Sequence, residues 1–323
     1  MEAAGSGGRE LLFQSGPGHS WLVQSYIKSA PHPFGSIIGE EIFQSGVVPS
    51  DTDFRIFRDF GRVPGLDIAF ISHGHVYHTE YDTSDRIPRG SVQRAGDNVL
   101  AVLNRLTRLK NLHEVSLDSK RDSGSTEIYF DFLGLIMISY PSWVGVMVTV
   151  IAVIMVIISL IRDINNASKK HDLSLSFSKK IIWQILISFI IILITSLIVN
   201  AVIGCFLGVI GATMSWYYRP HLLFLIYGSP TIFCILLIFQ KLRDITRKYN
   251  IVDDILEQFT LHSSNIILSF ISVLITMAGY KSAFIFSTSL LFSVVWWIIV
   301  RLFNTDYNSW KSFMLFNLLS IGN

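Results

Sequence analysis

Residues 181–210 read IIWQILISFIIILITSLIVNAVIGCFLGVI, without one Asp, Glu, Lys or Arg. The hydrocarbon core of a bilayer is about 30 Å thick, which about 20 helical residues cross. This stretch can therefore span and still tilt or bend. Four more runs of the same kind stand around it: residues 143–161, opened by Pro141, then 222–239, 266–280 and 283–303. A further run, 313–323, is too short to cross. Near-charge-free runs in series are hard to bury in anything but lipid. Residues 142–323 are expected to form an all-α multi-pass transmembrane domain, and the lipid bilayer is the first partner the sequence names.

The loops between the runs differ in charge. Arg162, Lys169, Lys170, Lys179 and Lys180 follow the first run. Lys241, Arg243, Arg247 and Lys248 follow the third, and Arg301 ends the fifth. The alternate loops carry only Arg219 and Lys281. Basic loops stay in the cytoplasm, so the N-terminal part is expected on the opposite side, in a lumen or outside the cell. None of the runs holds Asp, Glu, Lys or Arg deep within it, which speaks against a transporter or pump. Asn200 is the clearest polar residue near mid-membrane.

Half of the residues are hydrophobic and 15% are charged, against about a quarter charged in soluble domains. The deficit is confined to the C-terminal side; residues 1–141 read as an ordinary globular unit. The net charge of +2, with no basic stripe interleaved with aromatics, excludes a nucleic-acid partner. Cys205 and Cys234 both lie in apolar runs, so there is no disulfide framework.

Alternation and turn residues place strands at 10–14 and 66–71 and one more over 127–139. Helices are expected at 21–29, 35–44, 52–60 (capped by Ser50 and Asp51) and 91–109. The last has Val92, Ala95, Val99, Leu103 and Leu106 on one face. Strands alternating with helices imply an α/β unit with a mixed sheet and flanking helices. The chemistry is expected just after the strand at 66–71, where three histidines crowd into His73, His75 and His78. If extended, the segment points His73, His75 and Tyr77 one way and His78 the other, so the three cannot chelate one ion together. Asp82 could orient a ligating His78 or be an ordinary turn residue. The glycine-rich run at 5–8 lacks the Lys-Ser/Thr of a phosphate loop and reads as a turn.

Several segments carry a family resemblance: EAAGSGGRELLFQ at 2–14, FQSG at 43–46, PSDTDFRIFRDFG at 49–61 and YHTEYDT at 77–83. They resemble the endoplasmic reticulum metallopeptidase family, in which a di-zinc aminopeptidase-like domain is fused to a multi-pass membrane domain. The resemblance runs through the soluble part into residues 129–141. It implies a zinc metallopeptidase hydrolysing peptide or protein substrates in the endoplasmic reticulum lumen.

Five protein ligands hold two zinc ions in that family. Glu2 matches the carboxylate that ends a strand, and His78 matches the final histidine. Tyr77 sits where relatives place a tyrosine that stabilises the tetrahedral intermediate. Asp51 would line or support the site, with Asp82 behind His78; His73 and His75 match no ligand. Imidazole and carboxylate are donors zinc takes readily. The family's first histidine, its bridging Asp and its Glu–Glu pair have no counterpart in these residues. By itself the chain is therefore expected to be inactive, as a piece of the peptidase or as a non-catalytic short form.

Overall fold

The structure is a computed structural model that describes residues 1–16, 20–48, 50–109, 127–171, 174–219, 221–247 and 253–302. The short run at 313–323 lies outside these residues. The chain divides into two units, described separately: Met1–Thr149 with Ser272–Ile285, and Val150–Ile271 with the helix beyond Phe286.

In the first unit, β1 (Glu2–Ala3), β3 (Gly65–Phe70) and β2 (Leu11–Gly16) form a mixed sheet in the order β1-β3-β2. β1 runs parallel to β3, with Glu2 opposite Ala69, and β2 runs antiparallel to it, with Leu11 opposite Ala69 and Gly16 opposite Gly65. The helices α1 (Ser20–Ser29), α2 (Ile37–Gln44) and α3 (Ser91–Thr107) flank the sheet. Ser36 caps α2 by accepting from the Ile38 amide. The core gathers Leu12, Val23, Tyr26, Ile37, Ile68 and Val102 with the aromatic residues Tyr129 and Phe130. Each such side chain, fully buried, stabilises by about 1.5–3 kcal/mol.

Four expectations need correction. Residues 127–139 are not one strand but a hairpin, β4 (Glu127–Phe132) and β5 (Ile136–Pro141), paired antiparallel. Leu133 and Gly134 turn the chain with φ of 55° and 71°. The helix expected over 52–60 shrinks to a π-helical turn at Ile56–Phe60, and Asp51, which was to cap it, serves β2 instead.

On α3 the buried stripe is Ser91, Ala95, Asn98 and Val102. Val92 and Leu103, placed inward by apolarity alone, are exposed. Asn98 decides this. Its Oδ1 accepts from the His32 amide at 2.9 Å, and its Nδ2 donates to the His32 carbonyl at 3.0 Å and to the carboxylate of buried Glu10. Arg94, one turn earlier, donates to Glu10 as well. Last, the stretch past β3 forms a 3₁₀ turn at Gly74–Val76, so the facing of His73, His75 and Tyr77 worked out for an extended segment does not apply.

Ser272–Ile285 belongs to the first unit because its end packs on the α/β layer. Phe284 stacks on Phe130 with centroids 4.3 Å apart. The Glu41 carboxylate accepts from the amides of Lys281 and Ser282.

Among the described residues, five helices are long and apolar enough to cross a membrane. They are α4 (Ser142–His171), α5 (Leu175–Val209), α6 (Ser229–Arg247, entered through helical turns from His221), α7 (Asp253–Met277) and α8 (Phe284–Leu302). α7 starts well before the expected residue 266, because its polar residues find partners. His262 Nε2 lies 3.0 Å from Asp163 Oδ2, to which the Trp297 indole also donates at 2.9 Å. Asn265 donates to Ser293 at 2.9 Å. Asp163 and His262 are completely buried, an ionisable pair beyond the apolar runs, which hold no Asp, Glu, Lys or Arg deep within them. Both lie just outside the apolar runs, within the longer helices.

Candidate functional site

The site is built by the carboxyl ends of two parallel strands. β1 leads directly into the loop 4–10, and β3 leads into 71–78. The Ala4 amide donates to the Phe70 carbonyl at 2.9 Å, and Gly7 bridges to Ser72. Parallel pairing therefore delivers Glu2 and the His78 turn to one end of the sheet, where open α/β sheets place their ligands. The approach is close. A Cβ on Gly5 would run into the carbonyl oxygen of Ser72, and Gly8 holds φ at 86°. The glycine-rich run is thus a turn fitted against the second loop.

Within that loop His73 and His78 adopt left-handed backbone, φ 59° and 60°. For a residue with a Cβ this costs about 1–3 kcal/mol, and it clusters at functional sites. The Tyr77 and His78 rings stack, with centroids 3.9 Å apart and planes at 19°, and both side chains are exposed. Asp82 is exposed in the next turn, its amide donating to Thr79. No hydrogen bond joins Asp82 to His78 among the described residues. Of Glu2 the backbone position is described: it sits on β1, beside Ala69.

Asp51 lies in a hydrogen-bonded network on the β2 side. Its Oδ1 accepts from Gln14 Nε2 at 2.9 Å and from the Thr52 amide at 2.8 Å. Arg58 donates to Gln14 Oε1 at 2.7 Å and stands 3.7 Å from Asp51. It also pairs with Asp59, which holds that carboxyl below its usual range. Thr52 donates to Asp67, a carboxylate buried in β3. The sequence reading passed over Asp67 and Gln14, although an Asp inside the apolar strand GLDIAF is a signal that a partner must exist.

Zinc takes three protein ligands plus an open position in catalytic sites and four in structural ones. Among the described residues no three His, Cys, Asp or Glu side chains gather into a metal-holding group. Glu2 and His78 are donors of the right chemistry at one sheet end. By themselves they do not make a metal-holding group.

Comparison with known proteins gives the chain a family. The model of peptidase family M28 matches residues 1–103, and that of the endoplasmic reticulum metallopeptidase 1 TM domain matches residues 174–322. Mouse endoplasmic reticulum metallopeptidase 1 is 39% identical over 297 residues, covering 91% of this chain and 32% of that protein. The human protein of the same name is 44% identical over 238 residues, covering 74% of this chain and 25% of its own length. A putative endoplasmic reticulum metallopeptidase 1 of Schizosaccharomyces pombe is 34% identical over 140 residues, covering 43% of this chain and 16% of that protein. No solved structure matches. The chain thus spans about a quarter to a third of the length of its mouse and human relatives. It belongs to the endoplasmic reticulum metallopeptidase family, with an M28 peptidase portion followed by that family's membrane domain.

Proposed function

We propose that these residues form part of a zinc metallopeptidase of the endoplasmic reticulum membrane that hydrolyses peptide bonds on the lumenal side. The observation that carries this reading is the parallel β1–β3 pair, which brings Glu2 and the His78 turn to one sheet end. The names of the mouse and human relatives support the location and the reaction class. The Lys and Arg of alternate loops support the lumenal side for the α/β part.

In this reading Glu2 and His78 are two of the ligands of a two-zinc site, and the metal would activate water and polarise the scissile carbonyl. The stack of Tyr77 on His78 keeps the phenol beside the donor imidazole, where its hydroxyl can donate to the oxyanion of the tetrahedral intermediate. Asp51, fixed by Gln14 and Arg58, holds the loop that follows it against β2. Asp82 stays close to His78 in sequence and is the candidate to orient its ring in the assembled site.

The test is peptide hydrolysis by the protein in membranes from its source. His78→Ala and Glu2→Gln are expected each to lower kcat/KM by about a hundredfold or more, with zinc lost. Tyr77→Phe should lower kcat by about 10²-fold with KM little changed, the signature of a lost oxyanion donor. Unchanged hydrolysis in both ligand variants overturns the proposal.

A further inference from the structure

Strand register carries the α/β layer beyond β2. Glu2 and Leu11 both stand opposite Ala69, so β2 begins at the end of the sheet to which β1 and β3 deliver Glu2 and the His78 turn. Gly35 bridges Leu12 in parallel, and Ser36 bridges Phe130 antiparallel. Residues 34–36 therefore start from that same end, and β4 finishes there, in the turn at Leu133 and Gly134. Neighbouring strands lie about 4.8 Å apart, which puts residues 34–36 about 10 Å from β3 and about 14 Å from β1.

A cavity of about 550 Å³ opens at this place. Leu11, Phe34, Ile38, Phe130 and Leu133 make its walls apolar, and two opposite charges, Arg9 and Asp131, line it with them. The charges do not satisfy each other. Arg9 Nη2 stands 3.8 Å from Asp131 Oδ1, too far for a hydrogen bond, and the guanidinium lies over the Phe34 ring, 4.4 Å from its centroid. Asp131 Oδ2 accepts from the Gly134 amide at 2.6 Å. Oδ1 is buried and, among the described residues, accepts no hydrogen bond. A buried acceptor in that state costs free energy, which a matching donor restores.

A peptide unit carries one N–H donor and one carbonyl acceptor. Asp131 Oδ1 suits the N–H, the Arg9 guanidinium suits the carbonyl, and the apolar walls suit a side chain. We propose that this cavity is a distal subsite for the peptide substrate, holding one residue's backbone between Asp131 and Arg9 and its bulky apolar side chain against Phe34 and Leu133. An extended chain advances about 3.4 Å per residue, so that residue lies about three or four positions from the one held at the ends of β1 and β3. The subsite rests on the peptidase reading and adds a substrate class to it: extended peptides with a large apolar residue at the distal position.

The experiment measures hydrolysis by the protein in membranes from its source. It uses short peptides that end before the cavity and extended ones that reach it with Phe, Asp or Lys. Asp131→Asn keeps the size of the side chain and sets an amide donor where the charged acceptor was. It is expected to raise KM for the extended Phe peptide about tenfold relative to KM for the short ones, with kcat little changed. Leu133 is exposed and holds φ at 55°, a backbone that Asp adopts more readily than Leu. Leu133→Asp should therefore fold, and should shift the distal preference from Phe towards Lys several-fold, a change that misfolding does not imitate. Extended peptides cleaved with equal kcat/KM whatever the distal residue, or unaffected by both variants, overturn the subsite and leave the peptidase reading standing. A parent protein that cleaves neither series overturns the peptidase reading and the subsite with it.

Discussion

At the scale of single residues, His78 bears the most. The family resemblance marked it as a donor, but no local pattern showed its backbone, and the chain holds it left-handed, with Tyr77 stacked on its ring. Backbone strain of this kind leaves no trace in composition or periodicity, and the loop that carries it closes against Gly5–Gly8 at Ile71 and Ser72. Gly5 is where that closure is tested. Gly5→Ala is expected to cost about 1–3 kcal/mol by overpacking against backbone, and to expose the 71–78 loop to proteolysis. A melt superimposable on the parent's would contradict it.

The buried tyrosines give a second residue-scale prediction. Burial pushes the Tyr26 phenol up to about 12, with the Phe34 hydrogen bond opposing. Burial, and the Glu40 carboxylate beside it, hold Tyr129 well above the ordinary value. A phenol whose folded value is raised keeps its full contribution below the unfolded value of about 10. Stability then falls as pH rises through the folded value. Above pH 10 the protein should lose about 1.4 kcal/mol per pH unit for each such tyrosine. Ultraviolet titration of the parent against Tyr26→Phe and Tyr129→Phe should show each variant losing phenolate absorbance that appears late and together with unfolding; loss of absorbance that appears near pH 10 in folded protein would refute it.

Among elements, α3 shows what patterning can and cannot deliver. Its existence and start were legible from the 3.6-residue period, but the face was not. Apolarity pointed to Val92 and Leu103, while the buried stripe runs through Asn98, whose partners lie 66 and 88 residues away in the chain. A distant partner cannot be seen from a local window. Asn98→Leu should therefore destabilise by about 2–4 kcal/mol, leaving the Glu10 carboxylate and the His32 amide short of partners. Leu103→Ser should stay within about 0.5 kcal/mol. The reverse order in chemical denaturation would restore the face that apolarity suggested.

The spans repeat the lesson. Their number was readable because lipid imposes length and apolarity directly. The early start of α7 was not, since His262 and Asn265 are tolerated only because Asp163 and Ser293 meet them. A double-mutant cycle on Asp163→Asn and His262→Gln, read as thermal stability in detergent, should give a coupling of about 1 kcal/mol, within the range of hydrogen bonds between membrane helices. Additive effects would mean that the pair holds nothing together.

For the molecule as a whole, two kinds of solvent explain two kinds of sequence. The α/β unit buries carboxylates with partners, such as Glu10, Glu40 and Asp67, and the helical unit turns apolar residues outward. The resemblance located the candidate ligands, and the parallel β1–β3 register, which no local pattern specified, explains why residues 76 positions apart serve one end of a sheet. The hairpin at 127–141 was missed because its turn, Phe132-Leu-Gly134, lacks the Asn-Gly or Asp-Gly signature of short hairpins.

The most direct test is zinc-edge X-ray absorption on the protein in its source membrane, with and without His78→Ala and Glu2→Gln. The expected spectrum has nitrogen and oxygen donors at about 2.0–2.1 Å, imidazole included, with zinc content falling in both variants. Undiminished zinc with an unchanged spectrum in the double variant would remove Glu2 and His78 from the metal site, and with them the proposed reaction.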